Sequence, residues 1–355
     1  MQEGPIERTS AYLHTHMEAR SEHRPRICCY ARVRDPKFFE SHEFYRTDIA
    51  ILQKLGYEVI VTHSIRTLWA QEYDIYFAWW FGYGIFPVLT ALLRRKPAVV
   101  SGVLHTRDCG GLAAWPTLKR WIMKLTMKLA RCSIVCSSGE FKRLDGFVPR
   151  RCEIVPLTID TGIYDWPADK RHRNRAPLVL MVTQLNRENV ERKMVVPAIR
   201  AFAVFARFRP DFRLMICGAI GDGIVAVRAA IAEIGIGDRV EIVGRVSLER
   251  KLELLQSAFA YLQPTTCEGF GLAIGEALAC GTPVVTSPEM CVVGTYGDAV
   301  QYGRSEAELA QRLTELAEDA AAYRSVQQRG FESVQRYSFA HRCERIRWIL
   351  DGLRS

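Results

Sequence analysis

Residues 263–285 read QPTTCEGFGLAIGEALACGTPVV. The apolar run AYLQP that leads into this stretch reads as a β-strand, LAIGEALAC as a helix and TPVV as a second strand. Two strands joined through a helix pair in parallel, so this segment sets an α/β reading for its surroundings. Gly269 and Gly271 let the backbone turn sharply and come close to a ligand. A helix starting near Leu272 aims its unpaired N–H groups at that ligand, a natural seat for phosphate. Glu276, one turn into the helix, is placed to accept hydrogen bonds from a ribose diol. Glu268 precedes the turn and can accept from sugar hydroxyls. Either glutamate alone would read as an ordinary helix-start acid; the whole string is more specific.

The same alternation runs outward in both directions. ICCYAR, YEVIVTHS, DIYFAWW, AVVSGVLH, CSIVCSS and CEIVPL read as strands in the first half, with amphipathic stretches such as FYRTDIAILQKLG and LKRWIMKLTMKLAR between them. A polar, basic, Pro-flanked segment, DWPADKRHRNRAP, breaks the pattern. PLVLMVTQ, FRLMICG, VEIVG, AYLQP and TPVVTS then resume it, and the chain from Glu306 onward is helical in pattern. The expectation is an α/β protein of two doubly wound, Rossmann-like domains facing across a cleft. Its divisions are a loosely held arm over 1–24, a first domain over 25–165, a linker over 166–177, a second domain over 178–336 and a terminal helix over 337–355.

Composition agrees with a folded chain: 355 residues, 48% hydrophobic and 25% charged, with a mean hydropathy of −0.04. No apolar run approaches the ~20 residues of a membrane span. The polar N-terminus has no apolar leader core. Eleven scattered cysteines without a Cys-x-x-Cys pair point to free thiols in a reducing cytoplasm rather than to zinc or a disulfide framework. The net charge of +9 is local: residues 94–151 hold 13 Lys/Arg against 3 Asp/Glu. That asymmetry predicts an anionic partner; no nucleic-acid recognition motif accompanies it.

The Glu268-x7-Glu276 string resembles the signature of retaining GT-B glycosyltransferases of family four, and the resemblance extends from about Ile27 to Leu350. It implies that Glu268 contacts the donor sugar and Glu276 the nucleotide ribose. The amides of Phe270, Gly271 and Leu272 would then hold the distal phosphate, with Gly269 completing the turn. In QLNRENVERK, Arg187 and Lys193 would neutralise the departing diphosphate, with Arg192 as a rival for Arg187 because the family's Gly-Arg pair reads Thr183-Gln184 here. His105, in SGVLHTRD, matches a family histidine near the donor sugar and acceptor, with Arg107 and Asp108 as weaker companions. Arg245-Val246 would flank the base. The first domain would take the acceptor, the second the nucleotide sugar, and the terminal helix would cross back to the first domain.

Two loops depart from the family: Arg32–Ser41 lacks its Gly-Gly pair, and Pro288–Gly294 carries a single glycine. No Asp-x-Asp occurs, so the expectation is metal-independent transfer without a cofactor. The donor would be a UDP- or GDP-sugar and the acceptor a glycan, a lipid-linked molecule or a small molecule, in polysaccharide or glycoconjugate synthesis. On a helical wheel Arg120, Lys124, Lys128 and Arg131 fall within about 80° of arc. This stripe reads either as a solvated face or as a contact to anionic lipid at the inner face of the cell membrane. Trp79 and Trp80 read as acceptor-side residues or as core. Two other functions compete. One is a catalytically silent GT-B subunit that binds a membrane or partner. The other is a dinucleotide oxidoreductase using Gly218–Gly223 and Glu241, although its glycines run G-x-x-G-x-G rather than G-x-G-x-x-G.

Overall fold

The computed structural model describes residues 24–104, 112–168 and 175–353, and contains two six-stranded parallel sheets. In the first, β1 (Arg26–Tyr30), β2 (Glu58–Thr62), β3 (Ile75–Trp79), β4 (Ala98–Ser101), β5 (Cys132–Val135) and β6 (Cys152–Ile154) lie in the order β2-β1-β3-β4-β5-β6. In the second, β7 (Ala176–Val182), β8 (Arg213–Cys217), β9 (Val240–Gly244), β10 (Ala258–Leu262), β11 (Val284–Thr286) and β12 (Gln301–Tyr302) lie in the order β12-β11-β10-β7-β8-β9.

Helices cover both faces of each sheet, which explains why the inner strands are apolar throughout instead of alternating. In β1, Ile27 and Cys29 join one core while Cys28 and Tyr30 join the core on the opposite face. The second sheet does the same with Val179 and Met181 on one side of β7 and Leu180 on the other. Every strand read from the sequence is present. β12 is additional; at two residues it is too short to show a period.

The helix Phe339–Asp351 packs Cys343, Ile346, Ile349 and Leu350 into the first sheet's core, alongside Ile27, Phe77 and Val99. Arg342 anchors it. Its Nε and Nη2 donate to Asp48 Oδ1 at 2.9 and 2.7 Å, and its Nη1 donates to the carbonyls of Val155 and Pro156. The chain therefore passes between domains after β6 and again before this helix, where Ile159 N–H donates to the Tyr337 carbonyl. Of the expected arm, residues 1–23 lie outside the described residues, as do 169–174 of the expected linker. Trp166 in that linker is buried and its ring meets Phe331 edge-on.

Nine of the described cysteines are free thiols. Cys267 is disulfide-bonded, so the free-thiol expectation fails at that position. Among the described residues no helix is long and apolar enough to cross a membrane.

Candidate active site

In the second sheet strand order reverses between β7 and β10, the place where open parallel sheets leave a crevice beyond their carboxyl ends. The loop after β10 enters that crevice and turns into the helix Leu272–Ala279. Gly271, its N-cap, has φ +82, and a Cβ there would stand 3.3 Å from Ile274 and 3.4 Å from Tyr296. The left-handed backbone favours glycine, and a side chain there would press on Ile274. The N–H groups of Phe270, Gly271 and Leu272 donate to no acceptor among the described residues, which leaves a helix start ready for an anion. The Phe270 ring is buried against Tyr296 and Tyr337, so its backbone alone is offered.

Glu268 is 8% exposed. Its Oε1 lies 3.2 Å from Arg192 Nη1 and 3.5 Å from Lys193 Nζ, and accepts from Gln263 Nε2 at 3.4 Å. Glu276 is 7% exposed, with Oε2 at 2.6 Å from Lys251 Nζ. Lys251 also donates to the Tyr164 hydroxyl at 3.0 Å. Burial, and then the charge of Glu276, raise the Tyr164 hydroxyl's pKa well above the usual phenol value. Both carboxylates are thus paired with cations, and those cations line one cavity. It measures about 580 Å³ and is bounded by Thr183, Gln184, Arg192, Lys193, Arg245, Val246 and Lys251, among others. A space of this size, ringed by four cations and flanked by two carboxylates, suits a dianionic head with a hydroxyl-rich body.

Of the residues singled out from sequence, Lys193, Arg245 and Val246 line this cavity, and Glu268 and Glu276 pair with cations that line it. Arg187 does not line it. It is exposed and lines a neighbouring cavity with Asp222 and Glu191, its own N–H donating to Asp222 Oδ1 at 2.8 Å. Arg192 occupies the wall between the two cavities and reaches Glu268. His105, Arg107 and Asp108 lie outside the described residues. Trp79 is core, 2% exposed with its indole N–H on Asp48 Oδ2 at 3.0 Å. Trp80, at φ +75, is half-buried and donates to the Tyr45 hydroxyl at 2.7 Å.

On the helix Thr117–Leu129, Arg120 donates to the Ala113 carbonyl, while Lys124 and Lys128 lie 5.4 and 5.5 Å from the Phe147 ring centroid. Arg131 is exposed beside Arg95, Lys96 and Arg150 around a smaller cavity. Glu241 sits near the amino end of β9 and is exposed, away from the carboxyl edge where a dinucleotide's ribose acid belongs.

Lys251 was not singled out from sequence, although a signal existed. It lies three and four residues before Leu254 and Leu255, on the buried face of the helix Leu248–Ser257. A lysine on an apolar stripe calls for a partner.

Two parallel doubly wound sheets with a cationic crevice at the switch point define a GT-B architecture. Solved structures agree on that fold. Anabaena HepE in complex with UDP and glucose superposes with a TM-score of 0.74 at 15% identity, covering 92% of this chain and 100% of the other. Sucrose-phosphate synthase from Thermosynechococcus elongatus gives 0.71 at 17%, covering 93% and 99%. Residues 163–332 match the model of glycosyl transferases group 1. Curated relatives include the D-inositol 3-phosphate glycosyltransferase of Acidothermus cellulolyticus, 32% identical over 46% of this chain and 38% of the relative. A phosphatidylinositol N-acetylglucosaminyltransferase chain from Arabidopsis thaliana is 24% identical over 70% and 63%. The match spans less than two thirds of either relative's length.

Proposed function

We propose that this chain is a glycosyltransferase that moves a sugar from a nucleoside-diphosphate sugar to a hydroxyl acceptor with retention of configuration. The observation that carries the reading is the cavity beyond the carboxyl ends of β7, β8 and β9, where Arg192, Lys193, Lys251 and Arg245 line one space and three of them reach Glu268 or Glu276.

In this reading Arg192 and Lys193 meet the diphosphate together with the open amides of Phe270, Gly271 and Leu272. Fixed donors aimed at a leaving group stabilise the charge that grows as its bond to the anomeric carbon breaks. Glu276 takes the ribose hydroxyls and Glu268 those of the donor sugar, each exchanging part of its ion pairing for substrate. The acceptor oxygen attacks from the face that the diphosphate leaves. The departing phosphate oxygen takes the acceptor's proton, so positioning and charge do the catalysis without a metal or a side-chain base. The UDP complex of HepE favours a uridine donor. The names of the two relatives, one an inositol phosphate and one a phosphatidylinositol enzyme, favour a phosphorylated or lipid-linked polyol acceptor.

A thermal-shift panel of UDP, GDP and ADP tests the donor, since a ligand bound only by the native state raises the melting temperature. At least one should raise it, and Glu276→Ala should abolish both that rise and slow donor hydrolysis. If none does, the reading is wrong; binding without hydrolysis or transfer would favour the silent subunit.

A second observation supports work at the inner face of the cytoplasmic membrane. Leu92 and Leu93 on the helix Ile85–Leu93 are 54% and 70% exposed, and Leu118 and Trp121 on the adjacent helix 73% and 65%. Arg95, Arg131 and Arg150 lie nearby. Apolar side chains flanked by cations suit an anionic bilayer surface. Co-sedimentation with phosphatidylglycerol vesicles should be lost in Leu92→Glu/Leu93→Glu. Equal sedimentation of that variant would leave the face merely solvated.

A further inference from the structure

The helix Ser138–Lys142 of the first domain presses on the Glu268 loop of the second. Its N-cap, Ser137, donates from Oγ to the Gly269 carbonyl at 2.9 Å, and Cys136 Sγ reaches the same oxygen. A Cβ on Gly269 would stand 3.1 Å from Val103, and one on Gly139 would stand 2.5 Å from the Cys291 backbone. The domains meet here without slack.

Inside this contact lies a buried ion pair that the proposed mechanism does not use. Glu140 is fully buried and Arg143 is 2% exposed, with Nη1 at 2.5 Å from Glu140 Oε1. The pair faces both ways. Toward the second domain, Arg143 Nη1 donates to the Glu268 carbonyl at 2.9 Å, and Nη2 donates to Glu289 Oε1 at 2.7 Å. Toward the first, Glu140 Oε2 accepts from the Leu104 N–H at 2.5 Å and the Arg143 carbonyl accepts from the Leu112 N–H at 2.9 Å. Asp145, two residues on, accepts from the Ala113 N–H at 3.0 Å. One short segment thus fixes the backbone at Leu104, at Leu112 and at Glu268, and the chain between the first two carries His105 and Asp108.

We infer that Glu140 and Arg143 are a positioning pair, holding Glu268 of the donor site in register with the first-domain residues that flank His105. The inference rests on the proposed transferase reading. Neither side chain touches the donor cavity, so the pair acts on turnover rather than on nucleotide affinity. A charged pair suits this task because its directional bonds fix geometry on two loops at once, whereas apolar packing would let them slide.

The test compares turnover with nucleotide affinity. Arg143→Lys keeps the charge and loses the two-pronged reach; Glu140→Gln keeps an acceptor and loses the charge. Each should lower kcat by about 10–100-fold, the scale of a misplaced reacting group, with the Kd for UDP or GDP within threefold of wild type. Arg342→Lys weakens a comparably buried ion pair inside the first domain and should lower the melting temperature with kcat within twofold. Arg143→Met should be worse than Arg143→Lys. If either pair variant fails to fold, Ser137→Ala, which removes the hydroxyl donor to the Gly269 carbonyl, decides by the same split.

Undiminished kcat per folded molecule overturns the inference. So does affinity falling in step with kcat, or an equal loss of kcat in Arg342→Lys. Failure of the wild-type protein to bind any nucleoside diphosphate is a separate result, which removes the transferase reading and the inference with it.

Discussion

At the scale of single residues, the proposed donor cavity turns on Lys251. Its ammonium spans the gap between Glu276 and the Tyr164 hydroxyl while also lining the cavity. It holds the Glu276 carboxylate in place, and in the proposed reading it adds a cation for the nucleotide. Lys251→Met should therefore weaken UDP or GDP binding by about 10–150-fold, the ~1.5–3 kcal/mol of a charged hydrogen bond, as read by calorimetry. Unchanged affinity would mean that Lys251 serves only to neutralise Glu276. The contrast between Trp79 and Trp80 belongs to this scale as well. They are neighbours in sequence, but β3 is buried on both faces, so Trp79 is enclosed while Trp80 leaves the strand with φ +75. Sequence proximity could not separate them; the end of a strand does.

At the scale of elements, legibility followed period length. Strands covered on both faces are apolar runs between turn signals, and all were readable except the two-residue β12. After β7 the chain forms two helices, Arg187–Arg192 and Val195–Phe208, broken where Met194 adopts φ +44. That break turns Arg192 and Lys193 toward Glu268 and leaves Arg187 outside, a distinction no periodicity contains. Arg143 was equally hidden, because its bond to the Glu268 carbonyl spans 125 residues. The terminal helix shows the same long reach: Arg342 meets Asp48 across 294 residues. Both side chains are nearly fully buried, and removing one partner leaves a stranded charge. Arg342→Ala should cost about 3–5 kcal/mol in urea unfolding followed by fluorescence. A loss below ~1 kcal/mol would show that apolar packing alone holds this helix to the first sheet.

At the scale of the whole molecule, the two domains face each other through like charges as well as opposite ones. Glu43, on the first-domain helix Glu43–Lys54, feels the charges of Glu276 and Lys251 of the second domain and lines a cavity with Asp160. Burial, and then the charges of Glu276 and Asp160, raise its carboxyl pKa above the usual value, with Lys251 and Arg46 opposing them. A carboxyl whose folded pKa exceeds its unfolded one makes the native state bind more protons than the unfolded state between those two values. Stability then falls as pH rises through that window. Glu43→Gln removes this titration. Below the ordinary glutamate range the variant and the wild type should melt together, because Glu43 is protonated in both of its states. From there toward neutral pH the variant should become progressively the more stable of the two. A gap that is constant with pH, or that closes as pH rises, would mean that Lys251 and Arg46 outweigh the burial and the two carboxylates. The crevice would then be held together across Glu43 rather than pushed apart there.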